Sequence, residues 1–265
     1  MSTGITIIIT VWKRNYLDQQ LQSLVEQTLP PACIWIIQNE HHIDIQPVVD
    51  KYSAVFPRIS VIHAGFNLKF FGRFSLCNLV ETDYVLIIDD DVIPARNWLR
   101  TCLNKCREYN AVISCTGRII KPRSFRPEAW QGDERRIYFL GDNQSDDPYN
   151  FLPEDTQVDY GCNSYFFRAE WIRHFWSVWP ATFLSGEDIH LSASLMITRS
   201  IPTIVPQQLS AETTGNRHKF YSQDEVSSWR SADFLDIRQS VFEFFIREKQ
   251  WQPLQWQARV PALAP

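Results

Sequence analysis

The sequence predicts an α/β fold, a mostly parallel central sheet with helices on both faces. Three observations carry that reading. Strand-like and helix-like segments alternate through the first half of the chain, the order in which a parallel sheet is wound. The strand-like runs are apolar nearly throughout rather than at every second residue, as in strands covered on both sides. The chain has 265 residues, 45% hydrophobic and 14% aromatic, which is enough for one sizeable core.

The elements follow in order. Ile5–Val11 is a β-branched run and reads as a buried strand. Asn15–Gln27 carries Leu17, Leu21, Leu24 and Val25 at helical spacing, and Pro30-Pro31 stops it. Ile34–Gln38 is a second strand, Pro47–Tyr52 a short helix and Ile59–His63 a third strand. Arg73–Val80 is expected to be helical, and Tyr84–Ile88 is the fourth strand. Arg96–Tyr109 is a helix with Trp98, Leu99, Cys102, Leu103 and Cys106 inward, and Ala111–Cys115 is again strand-like.

Lys121–Asp159 breaks the pattern. It is polar, holds four prolines and contains clusters such as Gly132-Asp133-Glu134-Arg135-Arg136. A substrate loop and a disordered segment both fit it. Order resumes with a strand at Asn163–Arg168, a Trp-rich helix near Ala169–Trp176, and a helix after Ser185-Gly186-Glu187-Asp188. A short strand follows at Ile201–Val205, then a helical apolar stripe over Asp233–Lys249.

Composition excludes several classes. A net charge of −4 leaves no electrostatic footprint for nucleic acid. No run approaches the roughly 20 apolar residues that span a bilayer. The six cysteines form no CxxC pair, and several sit in apolar segments, so buried free thiols in a reducing compartment are the simplest reading. If these residues are the whole chain, the start at Met1-Ser2-Thr3-Gly4 offers no basic leader, and a soluble cytoplasmic protein is expected.

The most telling segment is Tyr84-Val85-Leu86-Ile87-Ile88-Asp89-Asp90-Asp91, an apolar strand ending in three carboxylates. Adjacent like charges repel, so the run gains nothing for folding unless a cation or solvent compensates. Mg²⁺ and Mn²⁺ prefer such oxygens and bridge to phosphates, and open α/β sheets bind ligands at their C-terminal edge. A solvated acidic turn is the plainer alternative.

Three other segments point to the same edge. Thr10-Val11-Trp12-Lys13-Arg14-Asn15 and Gln38-Asn39-Glu40 follow the first two strands. Thr10 and Arg14 are candidates to bind the nucleotide there, and backbone groups, the amide of Asn39 and the ring of Trp12 suit a flat nucleobase, although ordinary loop polarity would look the same. Arg73, at a helix start, matches phosphate geometry and could equally be a surface residue. Asp188, with Glu187 beside it, could serve as a general base or simply cap its helix, since Ser-x-x-Asp is also a capping signature. Thr214-Gly215-Asn216-Arg217-His218-Lys219 offers His218 as a further metal ligand and Arg217 and Lys219 for phosphate.

These residues carry a resemblance. The opening Ile-Ile-Ile-Thr-Val-Trp-Lys-Arg, the helix Leu21–Thr28 and the strand Ile34–Asn39 resemble the start of family 2 glycosyltransferases of the GT-A fold. The stretch from Arg73-Phe74 through Asp89-Asp90-Asp91-Val92, and the Glu187-Asp188-Ile189 helix, are also similar to the exostosin transferase domain (family 64). The resemblance covers roughly residues 5–220. It implies a single GT-A domain over 1–220, with a nucleotide-binding half at about 1–115 and an acceptor half over 116–220. Residues 221–265 would be a C-terminal helical extension of that domain.

The resemblance also implies roles. Asp91 binds Mn²⁺ or Mg²⁺, with Asp89 at the ribose or a metal-bound water and Asp188 facing the acceptor or the reacting sugar. The donor is a nucleoside diphosphate sugar, with UDP the best guess, and the acceptor is a hydroxyl of a glycan or related molecule. One departure is Gln38-Asn39-Glu40, where family 2 often has an acidic pair for the base; Asn39 matches the exostosin-like pattern. A loop around Gly215 is expected to close over the donor. Asp188 acts as base if the anomeric centre is inverted, or stabilises an oxocarbenium-like species if it is retained. A sugar-phosphate nucleotidyltransferase and a non-catalytic carbohydrate-binding protein remain as alternatives. Against the former, Thr10–Asn15 contains no Gly, and no GxGxxG supports a dehydrogenase.

Overall fold

The structure is a computed structural model that describes residues 4–120, 139–141, 152–218 and 222–256. Its centre is an eight-stranded sheet. In chain order the strands are β1 (Ile5–Val11), β2 (Cys33–Asn39), β3 (Ile59–Ala64), β4 (Tyr84–Ile88), β5 (Val112–Ile113), β6 (Thr116–Arg118), β7 (Phe139–Leu140), β8 (Thr156–Val158), β9 (Tyr160–Cys162), β10 (Ser164–Arg168) and β11 (Thr203–Val205). The large sheet runs β3-β2-β1-β4-β10-β5-β11-β8, and β7-β6-β9 form a small antiparallel sheet.

β1 pairs in parallel with both β2 and β4, and β2 with β3. β10 is antiparallel to β4 and β5, and β8 is antiparallel to β11. The sheet is therefore mixed but mostly parallel, as the alternating elements predict. The strand order turns back at β1, with β2 to one side and β4 to the other. That switch point opens a crevice outside the C-terminal ends of β1 and β4, where doubly wound sheets bind ligands.

Helices cover the sheet: α1 (Leu17–Val25), α2 (Gln46–Ser53), α3 (Phe71–Leu76), α4 (Trp98–Tyr109), α5 (Ile172–Trp176), α6 (Glu187–Arg199) and α7 (Phe234–Glu243). All five residues of β4 are buried, because helices pack on both of its faces. Each such Val, Leu or Ile contributes about 1.5–3 kcal/mol by leaving water. A second cluster joins α6 to α7 through Ile189, Ala193, Val241, Phe242 and Phe245. Among the described residues no helix is long and apolar enough to cross a membrane.

Several expectations shift in detail. α3 begins at Phe71, two residues before the predicted start, which places Arg73 inside its first turn and buries it. The stripe over Asp233–Lys249 is α-helical only to Glu243 and ends in a π-helical turn, Phe244–Glu248. β7 and β8 lie within the segment read as irregular, and most of the rest of Lys121–Asp159 lies outside the described residues. All six cysteines are free thiols.

Candidate active site

β4 delivers Asp89-Asp90-Asp91 to the switch-point crevice, and neighbouring elements fix the tip. The Gln20 side chain on α1 donates to the carbonyls of Asp89 (2.8 Å) and Val92 (2.9 Å). Asp89 N–H donates to the carbonyl of Asn163, just ahead of β10, at 2.9 Å. Asn216 Oδ1 accepts from Ile93 N–H at 3.0 Å, and Arg217 N–H reaches the Ile93 carbonyl at 2.7 Å. These bonds satisfy the backbone of a buried turn that neither helix nor sheet would satisfy.

A cleft of about 1190 Å³ opens over this tip. Thr10, Trp12, Arg14, Asn39, Arg73, Asp89, Asp90, Asp91, Glu187 and Asp188 all line it, so residues from five separate stretches of sequence converge there. Arg217 and His218 do not line it. The His218 ring packs on Tyr16 with centroids 4.5 Å apart, and Nδ1 sits 3.2 Å from the Asp91 carbonyl. Lys219 lies outside the described residues.

Asp89, Asp90, Asp91, Glu187 and Asp188 each lie against an arginine. Arg14 Nη1 donates to Asp90 at 2.6 Å and lies 3.3 Å from Asp91. Arg73, 4% exposed, joins Asp89 through Nη1 and Glu187 through Nη2, the latter at 2.9 Å. Arg238 grips Asp188 with two bonds of 2.9 Å. The pairing neutralises charge that burial would otherwise make very costly.

Compensation is incomplete. Burial pushes the Asp90 carboxyl up to about 6, with Arg14 pulling against it. Burial also raises Asp89 against the pull of Arg73, and raises Glu187, to which neighbouring Asp188 adds. Asp224 goes the other way, held down at about 2 mainly by its hydrogen bond to Arg14. The crevice thus keeps surplus negative character that a cation would relieve.

Asp188 does not cap its helix as a Ser-x-x-Asp box would. The N-cap of α6 is Gly186 at φ 87°, with no side-chain cap bond. Asp188 Oδ1 instead accepts from Ile189 N–H at 2.8 Å, and Cys162 Sγ lies 3.8 Å from Oδ2.

Asn39 and Trp12 are also partly committed. Asn39 Oδ1 accepts from Leu68 N–H at 3.1 Å, which leaves the side-chain amide as a donor. Trp12 Nε1 donates to Glu40 Oε2 at 2.7 Å, which fixes the indole.

Gly215 is tightly packed. A Cβ there would stand 2.2 Å from Cys115 Cβ and 2.8 Å from the Trp98 ring, and its N–H is bonded to Gln208 Oε1 at 2.7 Å. Cleft cover comes instead from the segment before α7. Ser222 N–H donates to Asp91 Oδ2 at 2.8 Å, and Asp224 and Ser227 hold Arg14.

Among the described residues no group of three or more His, Cys, Asp or Glu is arranged to hold a metal ion. That fits an ion shared with a ligand, because Mg²⁺-type sites often use one or two carboxylates plus substrate phosphates. Asp91, buried at the tip, and Asp89 beside it are the carboxylates whose chemistry fits such a half-site.

The sequence-level readings missed Gln20, Ser222, Asp224, Ser227 and Arg238. Two left a signal. Gln20 interrupts the apolar face Leu17-Leu21-Leu24, and Arg238 interrupts the stripe Phe234-Val241-Phe245. A polar residue on a buried face needs a partner, and here the partner is the site.

Comparison with known proteins agrees with this architecture. Residues 6–170 match the family described as Glycosyl transferase family 2. No curated protein matches the chain. Among solved structures, S. aureus TarS is similar at 14% identity and TM-score 0.51, over 76% of this chain and 35% of TarS. TarS 1-349 in complex with UDP-GlcNAc gives 13% identity and TM-score 0.52, over 78% of this chain and 57% of that one. The mannosyltransferase PcManGT from Pyrobaculum calidifontis, in complex with GDP-Man and Mn²⁺, gives 14% identity and TM-score 0.54, over 93% of this chain and 71% of that one. At such identities the likeness shows a shared GT-A-like fold, and the chain spans less than two thirds of the TarS chains' length.

Proposed function

The chain belongs to glycosyl transferase family 2, and from that premise we propose that it is a metal-dependent glycosyltransferase. It moves a sugar from a nucleoside diphosphate sugar, with UDP as the first choice of nucleotide, to a hydroxyl of a glycan or related acceptor. The observation that carries this reading is one cleft at the switch point that holds both the Asp89-Asp90-Asp91 tip and the Glu187-Asp188 pair. TarS with UDP-GlcNAc and PcManGT with GDP-Man and Mn²⁺ support donors of this class.

Asp91 and Asp89 would hold the divalent ion, Mn²⁺ or Mg²⁺, with His218 as a third candidate beside the tip. The ion would supply positive charge to the leaving diphosphate. Arg14 and Arg73, placed among the same carboxylates, add guanidinium donors matched to phosphate oxygens. Trp12 and Asn39 receive the nucleobase. Asp188 accepts the proton of the acceptor hydroxyl, and Glu187, tied to Arg73, couples that end of the cleft to the tip. Arg217 and Lys219 are further candidates for phosphate.

We assign residues 1–115 to the donor half, 116–220 to the acceptor half and 221–265 to an extension of the same domain. The shared α6–α7 core supports the last assignment. The free thiols, five of the six buried, support a reducing, cytoplasmic setting, and the role assigned there is polysaccharide biosynthesis.

The test is nucleotide release from a panel of UDP- and GDP-sugars with Mn²⁺, Mg²⁺ or EDTA. Metal-dependent nucleoside diphosphate release supports the reading, and pyrophosphate formation from a nucleoside triphosphate would replace it with a nucleotidyltransferase. The anomeric configuration of the product then separates inversion, with Asp188 as base, from the exostosin-like retaining course.

A further inference from the structure

Both carboxylate oxygens of Asp188 are occupied. Oδ1 accepts from Arg238 Nη1 and from Ile189 N–H, and Oδ2 accepts from Arg238 Nη2 with Cys162 Sγ nearby. A carboxylate clasped this way offers no well-placed lone pair to an acceptor hydroxyl. Arg238 stands on α7, and the segment leading into that helix is tied to the opposite end of the cleft. Asp224 and Ser227 bind Arg14 there, while Arg14 also holds Asp90. Residues 222–238 thus form a strap with one arginine–carboxylate anchor at the phosphate end and one at the proton-accepting end.

Donor phosphates compete for the first anchor. Arg14 is shared between Asp90, Asp91 and Asp224, and Asp224 is the most exposed of these partners. A diphosphate entering beside the tip offers Arg14 a better acceptor than a solvent-facing carboxylate.

Resting on the transferase reading, we propose that Arg238 is a positioning residue for the reaction. It keeps Asp188 out of reach of a hydroxyl until donor phosphates draw Arg14 from Asp224 and loosen the strap. With Arg238 released, the acceptor O–H proton passes to Asp188 as the acceptor oxygen bonds to the anomeric carbon. The bond from that carbon to the phosphate oxygen breaks, and its electron pair leaves with the diphosphate.

The groups that face Asp188 are Glu187 on its own helix, Tyr160 and Cys162 on β9, Tyr165 on β10 and Arg238 on α7. Arg238 is the cation in direct contact with it among the described residues.

The test uses the full chain with UDP-N-acetylglucosamine, UDP-glucose and GDP-mannose, Mn²⁺, and water as the only acceptor. Arg238→Met is expected to release nucleotide at least about threefold faster than wild type, and Asp224→Asn to move the same way. Adding Asp188→Asn to Arg238→Met returns release to background. Unchanged or slower release in both variants overturns the proposal. If Arg238→Met does not fold, Asp224→Asn decides alone, since Asp224 is partly exposed and its loss leaves the core intact. Calorimetry of the same donors separates the two levels. Intact binding with unchanged release removes only the role of Arg238, whereas absence of binding removes the transferase reading and this proposal with it.

Discussion

Arg14 and Asp224 stand 210 positions apart and meet through two hydrogen bonds, Nε to Oδ2 at 2.5 Å and Nη2 to Oδ1 at 2.8 Å. The contact joins the turn after the first strand to the segment ahead of the last long helix, directly over the acidic tip. It makes the C-terminal segment part of the cleft. A truncation before residue 222 is therefore expected to open the crevice and, by freeing Arg14 from Asp224, to tighten donor binding, even though it leaves β1–β4 untouched. Calorimetry with UDP and Mn²⁺ checks this; an unchanged dissociation constant would show that the segment merely decorates the fold.

Arg73 neutralises two carboxylates, the half-buried Asp89 and the buried Glu187. In Arg73→Met both lose their cation, and a loss of about 3–5 kcal/mol is expected for breaking a buried pair. The sign of the pH effect follows from the raised carboxyls. A folded state that binds protons more readily than the unfolded chain gains stability as pH falls. The variant should therefore recover stability between pH 7 and 5 more than wild type does. Thermal melts across that range would contradict the account if the two proteins ran in parallel.

Asp188→Asn is expected to cut turnover by about 10²–10⁴, the usual worth of a general base, while leaving donor affinity near wild type. Some stability falls as well, because Arg238 keeps only a neutral partner. Steady-state rates well below the melting temperature separate the two effects. Near-normal turnover would make Asp188 a structural partner of Arg238 and no more.

Gly215→Ala should destabilise by about 1–3 kcal/mol, since the added carbon meets Cys115 and Trp98 in a packed interior. Were Gly215 a hinge, the main effect would fall on turnover instead; a melt and a rate measured together discriminate.

Much of this was legible in the sequence. Continuous apolar runs marked β1, β2 and β4, and the charge reversal after Ile88 marked the tip, because both signals are local. Arg14, Arg73 and Asp188 were legible as candidates by residue type and position. Their mutual pairing was not, since each partner lies on another element and only the 3-2-1-4 strand order brings them together. β10 reads as any strand does, and its antiparallel direction is set by the short β9–β10 connection rather than by its own residues. Gly215 misled because glycine serves close packing as readily as motion.

Metal-supported donor affinity should depend on pH. Asp90 is held up near 6 by burial, so protons compete for the tip below that value. Affinity for UDP with Mn²⁺ is expected to fall as pH drops from 7 through 6 to 5, and affinity without metal to change less.

The central claim is that Asp91 anchors a cation that grips the donor's diphosphate. Titration calorimetry of UDP into wild type and Asp91→Asn, each with and without Mn²⁺, tests it most directly. The account predicts that Mn²⁺ tightens binding to wild type by about tenfold or more and does nothing for the variant. Equal tightening in both proteins would contradict it.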